Sequence, residues 1–402
     1  MSGQPPRHRR GPSKSTQQSG KSTQQSGFRR WLQGLAPKQR LGIIGGAVLV
    51  LVVIAVVLAA VLSGGSPKNA GHSSTTTTPT AGSTTTNPHH PALIAKNCPL
   101  TGLPAPGGKV PQRPALAVKV GNDPASRPQS GLDNADIVYE EMAEGGITRY
   151  MAVFQCQSAP IIGPIRSVRW DDWNMLQQYG HAILAYSGGI SFWTAEAANL
   201  VWIYNANGSI YPTANAYYRY SSSTPPANQG APYNYYSSTA ALWKLFPKVT
   251  APPPQLFKFS KAIPAGATAL ASASIDFSSA SPVVWSWSAT LQKWMRYYDT
   301  SPDTDPSGDQ FRATDVVIQI VPTRPGPYSE SGPDSPDVES LMIGTGKAYV
   351  LRDGMLESGT WSRPTGYSIT KFSFPDGKPM RLRPGNVWYE LVPETSPVSF
   401  TK

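Results

Sequence analysis

The residues best suited to chemistry crowd into one fifty-residue stretch. Asp123, Arg127, Asp136, Glu140, Glu141, Glu144, Arg149, Arg166, Arg169, Asp171 and Asp172 all stand there, between apolar segments. EGGITR (144–149) sets a glycine pair between Glu144 and Arg149. GPIRSVR (163–169) spaces Arg166 and Arg169 three apart, with Ser167 between them. Guanidinium groups hold carboxylates or phosphates through paired, charge-assisted hydrogen bonds. Arg127, Glu140, Glu144, Arg149, Arg166, Ser167, Arg169 and Asp171 therefore form a candidate ligand-binding set. Arginines near a helix N-terminus face the positive end of its dipole and need an anion nearby. Two explanations fit: ion pairs with Glu140, Glu144 or Asp171, or a bound carboxylate or phosphate. Glu140, Glu144 and Asp171 are also the candidates for a carboxylate enzyme, whose two acids would stand about 5–10 Å apart across a groove.

Other chemistries are excluded by subtraction. Of five histidines, His8, His72, His89 and His90 precede residue 97, which leaves His181. With two cysteines beside it, an ordinary zinc site lacks ligands. No G-x-S-x-G turn accompanies His181, and Ser187 in SGG reads as a tight turn after a strand. Neither a phosphate-binding glycine loop nor a dinucleotide fingerprint occurs. Asp303, Asp305, Ser307 and Gly308 imitate the start of a calcium loop, but Thr314 stands where a bidentate Glu is required and Pro306 interrupts it. A solvated acidic loop is expected there, and neither metal nor cofactor.

The elements that would position these groups alternate. ALAVKV (115–120), ADIVYEE (135–141), ITRYMAVFQ (147–155) and AILAYS (182–187) have strand chemistry. WDDWNMLQQY (170–179) places Trp170, Trp173, Leu176 and Tyr179 at three-residue spacing with Asp171 and Asp172 in the first turn, a helix signature. TAEAANLVW (194–202) and residues 237–246 also read as helices. Eight tyrosines fall within 204–236, in segments read as loop. After the stiff KVTAPPPQ (248–255) the pattern turns β: PVVWSWS (282–288), KWMRYY (293–298), DVVIQIV (315–321) and NVWYELV (386–392), with hairpin turns at Asp353-Gly354 and Asp376-Gly377. The expected fold is an α/β domain with a mixed sheet and helices over 97–250, followed by a β-rich domain over 256–402.

The N-terminal quarter has another character. The chain has 402 residues and a formal charge of +11, but residues 1–40 hold nine basic side chains and no acid, so the remainder totals only +2. That excludes nucleic-acid binding through the C-terminal portion. Residues 1–27 carry the repeat KSTQQSG twice, and 1–40 read as a disordered basic cytoplasmic tail. From Leu41 to Leu62 run 22 residues without charge, amide or proline, enough as a helix to cross about 30 Å of hydrocarbon. This run is expected to be a signal-anchor in a lipid bilayer. The basic excess on its N-terminal side places that end in the cytoplasm and the bulk of the chain outside, as a single-pass protein of the cell membrane. Residues 63–96, rich in Ser, Thr, Gly and Pro, form an extracellular stalk. Cys98 and Cys156 then stand in an oxidising compartment, where a disulfide is the expected state.

CPLTGLPAP (98–106), RPALAVKVGNDPASRPQSGLDNADIVYEE (113–141), EGGITRYMAVF (144–154) and IIGPIRSVR (161–169) resemble the YerB-like family. These are envelope proteins described as lipoproteins and built from N- and C-terminal domains of unknown function. YYRYSS (217–222) and YNYYSST (233–239) extend the resemblance, and GTGKAYVLRDG (344–354), GTWSR (359–363) and NVWYELVP (386–393) match the C-terminal domain. The resemblance implies a two-domain extracytoplasmic protein and no established activity. This chain departs from a lipoprotein in its apolar anchor and Thr-rich stalk.

Together these readings favour an envelope binding or scaffolding module with an Arg/Glu-lined site for an anionic ligand, a cell-wall polymer or an envelope protein. The alternative is a carboxylate-dependent wall hydrolase or transferase.

Overall fold

The computed structural model describes residues 96–221, 230–330, 332 and 335–402. The expected tail, the anchor from Leu41 to Leu62 and nearly all of the stalk lie outside the described residues. Among the described residues no helix is long and apolar enough to cross a membrane. The described residues form one compact unit.

In chain order the first half contributes β1 (Ala115–Gly121), β2 (Ile137–Met142), β3 (Thr148–Phe154), α1 (Trp170–Leu176), β4 (Ala182–Tyr186), α2 (Ser191–Asn199), β5 (Ile203–Asn207), β6 (Tyr217–Arg219), β7 (Tyr235–Ser237) and α3 (Thr239–Lys244). The second half is nearly all strand. It comprises β8 (Thr268–Ala269), β9 (Ser272–Asp276), β10 (Pro282–Ser288), β11 (Lys293–Tyr298), β12 (Ser301–Pro302), β13 (Arg312–Ala313), β14 (Asp315–Val321), β15 (Thr323–Pro325) and β16 (Val338–Ser340). It closes with β17 (Gly344–Arg352), β18 (Met355–Arg363), β19 (Lys371–Ser373), β20 (Val387–Pro393) and β21 (Val398–Thr401).

Among the described residues both halves build one eleven-stranded mixed sheet, in the order β19-β18-β17-β14-β20-β2-β3-β1-β4-β5, with β8 beside β18. The seam is β2 against β20, a parallel pair with Glu140 opposite Glu390. β1 and β2 both run antiparallel to β3, and β1, β4 and β5 are parallel. β20 is parallel to β14. Seven strands, β18, β14, β20, β2, β1, β4 and β5, thus point one way.

Such central strands are covered on both faces and read as mostly apolar runs, as β1 and β3 do, every residue of which is buried. Alternation sends Ala115, Ala117, Ile137, Tyr139, Met151 and Val153 into one core, with Trp173 and Leu176 of α1 and Trp193 of α2. Leu116, Val118, Val138, Tyr150, Ala152 and Phe154 enter the opposite core. Leu242 of α3 and Ala273, Ile275, Trp285 and Trp294 of a second sheet (β12-β11-β10-β9-β21, with β13 on β11) close that face.

Two local expectations differ. The second helix starts at Ser191 and ends at Asn199, before Val201 and Trp202, because Leu200 is already extended at φ −74 and ψ 122. Asp303 is not a solvated loop residue: it is buried and ion-paired with Arg296, while Asp305 is half-buried and Asp309 exposed. Cys98 and Cys156 form a disulfide, Cα atoms 5.9 Å apart, packed with Ala105 and Val110. It ties the segment entering β1 to the residues leaving β3.

Candidate functional site

β1 and β4 pair only over 115–118 and 182–185. Beyond that point the chain 165–168 lies between their ends. The Arg166 N–H donates to the Lys119 carbonyl (3.0 Å), the Ser187 N–H to the Arg166 carbonyl (3.0 Å), and the Val168 N–H to the Gly188 carbonyl (3.1 Å). The insertion carries Arg166, Ser167 and Arg169 to the carboxyl edge of the parallel strands. Asp123 follows β1 there, Glu144 follows β2, Ser187 to Gly189 follow β4, and Arg149 opposes Gly121 at the start of β3. Open sheets of parallel strands bind ligands at this edge.

Arg169 is fully committed. Its guanidinium donates to Glu144 Oε2 through Nε (3.1 Å) and Nη2 (2.7 Å), to Glu330 Oε2 (2.9 Å) and to the Val168 carbonyl (2.9 Å), with Asp337 Oδ1 at 3.6 Å. Burial alone would lower its pKa, but Glu144, Glu330 and Asp337 outweigh that and hold it above the ordinary arginine value. Burial and the repulsion of Glu144 lift Asp337 to about 6 against the pull of Arg169. The Arg169 N–H donates to the Asp172 carboxylate (2.6 Å), which starts α1. Here the ion-pair explanation accounts for the arginine near the helix start.

Arg149 and Arg166 are differently placed. Both turn to one oxygen, Asp123 Oδ2: Arg149 Nη1 at 3.2 Å and Arg166 Nε at 4.0 Å. The Ser126 hydroxyl donates to the same oxygen (3.0 Å). Arg149 Nε, Arg166 Nε and Asp123 Oδ1 are buried with no hydrogen-bond partner among the described residues. Burial, then repulsion from Arg169 and Arg166, lowers Arg149 to about 10. The Tyr233 ring lies 5.0 Å from the Arg166 guanidinium carbon. The Arg149, Asp123 and Arg166 side chains are 6%, 13% and 18% exposed, so the group borders solvent. Two guanidinium groups share one carboxylate, which leaves a local positive charge beside donors without acceptors.

The other candidates do not join this group. Arg127 donates to the Asn122 carbonyl (2.9 Å) and stacks 3.4 Å over the Tyr298 ring. Glu140 is fully buried, accepting from Thr148 (2.6 Å), Asn122 (3.2 Å) and Arg296 (2.6 Å). Asp171 is fully buried, accepts from the Ser340 N–H (2.8 Å), and is held well above the usual carboxylate range by that burial. Ser167 is half-buried at the edge. Neighbouring Lys119 is sealed between Glu141 and Asp172 (2.7 Å to Asp172), its pKa lowered by burial. Among the described residues no cluster of His, Cys, Asp and Glu could hold a metal ion.

Glu330 and Asp337, 161 and 168 positions after Arg169, were not in the sequence-derived set, nor was Arg296. No local pattern marks them, because the pairing depends on how the two halves share a sheet.

A family described as "Protein of unknown function (DUF3048) N-terminal domain" matches residues 100–251, and its C-terminal domain family matches 273–389. "Putative lipoprotein YerB" of Bacillus subtilis (strain 168) is 30% identical over 317 residues, 76% of this chain and 88% of that protein. The chain belongs to the YerB-like family. The crystal structure of YerB protein from Bacillus subtilis superposes with a TM-score of 0.62 at 24% identity, covering 75% of this chain and 99% of that one, and so shares the fold. Neither family description names an activity, so the function of this YerB-like chain has to be argued from its site.

Proposed function

We propose that this chain is a membrane-anchored, extracytoplasmic binding or scaffolding module of the cell envelope, in which Arg149, Asp123 and Arg166 take a carboxylate or phosphate of a wall ligand. The observation that carries the reading is the sharing of one carboxylate oxygen by two guanidinium groups whose buried Nε donors have no partner. A bound anion would satisfy those donors and offset the repulsion that, after burial, depresses Arg149. Placement outside the membrane rests on the apolar run from Leu41 to Leu62 with its basic N-terminal flank, on the paired cysteines, and on the relative named as a lipoprotein. The bilayer would hold the chain and the Ser/Thr-rich stalk would set its distance from it.

The carboxylate-enzyme reading has less support. Glu140 and Asp171 are sealed from solvent and Glu144 is spent on Arg169, so no two of them face each other across a groove. Turnover of wall fragments by the intact protein, abolished by Glu144→Gln, would restore it.

The test is ligand-induced thermal stabilisation by anionic wall fragments. Arg166→Lys keeps the charge and loses the planar fork. The unliganded melting temperature should barely move, while the ligand-induced rise should shrink by more than half. A large loss of unliganded stability would instead make Arg166 an internal strut.

A further inference from the structure

Two adjoining cavities lie wholly within the second half of the chain, and the anion site does not use them. One, of ≈ 490 Å³, is walled by Leu256, Phe257, Ile369, Phe372, Met380 and Leu382. All but Ile369 belong to the apolar core behind the main sheet, so the cavity is a breach into that core. Its charged lining consists of Lys258 and Lys371, both exposed, with no carboxylate among the lining residues and no ion-pair partner among the described ones. The second cavity, of ≈ 850 Å³, shares Pro379 with the first and is lined by Lys378, Arg381 and Arg352 against one carboxylate, Asp376, which Lys378 already holds at 2.8 Å. Ile263 on its wall is 53% exposed.

The charge is local. Segments 255–268 and 371–383 carry six basic residues (Lys258, Lys261, Lys371, Lys378, Arg381 and Arg383) and one acid, a net of +5, in a chain whose residues 41–402 total only +2. The rest of that stretch is therefore net negative, and the cations gather where the core is open.

From this juxtaposition we propose that the cavity binds a single-chain anionic amphiphile, its apolar chain seated among Leu256, Phe372 and Met380 and its carboxylate or phosphate head between Lys258 and Lys371. A volume of this size suits a small ligand, apolar walls with few polar groups fix its orientation, and Met380 adapts to chains of different shape. Burial of the chain supplies the binding energy, while the lysines select an anion over a neutral analogue of equal length.

The test is photo-crosslinking with the full chain in nanodiscs of zwitterionic lipid. The probes are a fatty acid with a diazirine on its chain, the matching fatty alcohol, and an anionic single-chain lysophospholipid with the same acyl diazirine placed in the disc. Peptide mapping should find fatty-acid adducts within 255–258 and 369–382. Labelling by the alcohol should be about tenfold weaker, and the surface double variant Lys258→Glu/Lys371→Glu should lower acid labelling by a similar factor. Met380→Trp, which fills the cavity, should also suppress it, whereas Arg166→Lys should leave it unchanged, separating this site from the anion group at the sheet edge. Adducts from the free acid or from the disc lipid both support the site and identify the source. No adduct in these peptides from either, equal labelling by acid and alcohol, or undiminished labelling of the lysine double variant would overturn it.

Discussion

Arg296 is the group whose removal should reveal most about how the two halves hold together. It projects from β11 of the second sheet with no solvent exposure, donating to Glu140 Oε2 on β2 (2.6 Å) and to Asp303. The rings of Tyr150, Tyr298, Trp285 and Trp388 surround it at 4.5–6.0 Å. Arg296→Met keeps most of the volume and removes the charge. Breaking a buried ion pair from one side costs about 3–5 kcal/mol, because the remaining charge is stranded. The loss should depend on pH. Burial, only partly offset by Arg296, already lifts Asp303 from 3.8 to about 6. Between those values the folded protein binds more protons than the unfolded chain, so this group lowers stability as pH rises through the window, by roughly 3 kcal/mol above it. Glu390, opposite Glu140, is pushed up by burial and then by the Glu140 charge. Without Arg296 these carboxylates should titrate higher still. Urea unfolding followed by tryptophan fluorescence should show a loss of about 3–5 kcal/mol at pH 8, shrinking by at least half at pH 5. A loss below about 1 kcal/mol at pH 8, or the same loss at both pH values, would mean that Arg296 does not tie the halves through these carboxylates.

Replacing Cys98 and Cys156 together with serine should destabilise the protein by about 2–5 kcal/mol, and mass spectrometry of the wild type without reductant should find no free thiol. Glu144→Gln withdraws the closest of three carboxylates from Arg169 and should cost about 2 kcal/mol by denaturant unfolding, without raising the affinity for anionic fragments. Gly121→Ala would place a Cβ 2.3 Å from Ser126 Oγ and 2.7 Å from Arg166 Cγ. Pushing both away from Asp123 should weaken anion binding in a titration and lower stability by about 1–3 kcal/mol.

The strands around the site were legible because their side chains are buried on both faces, which leaves runs such as ALAVKV and DVVIQIV with little polar interruption. PVVWSWS and KWMRYY coincide with β10 and β11 as read from sequence alone. β5 carries no strand signal because Asn205 and Asn207 are poor strand formers, and a central neighbour, β4, holds the segment in place. At the candidate site, residue type was legible and partnership was not. The spacing of Arg166 and Arg169 gave no sign that one would be saturated by Glu144, Glu330 and Asp337 while the other shared Asp123 with Arg149. That division follows from the β2–β20 seam, which brings residues more than 160 positions apart onto one sheet edge. The sharp change in pattern near 248–255 marks where strands replace helices, and the main sheet continues across it.

In the proposed function Arg149 and Arg166 together hold an anion. Nitrogen-15 resonances of arginine Nε report it most directly, followed in the full chain during titration with anionic wall fragments. The Arg149 and Arg166 signals should shift together and saturate at one ligand concentration, while Arg169 and Arg296, whose partners are internal, stay in place. Saturable binding that leaves both signals unmoved, or that moves Arg169 alone, would contradict it.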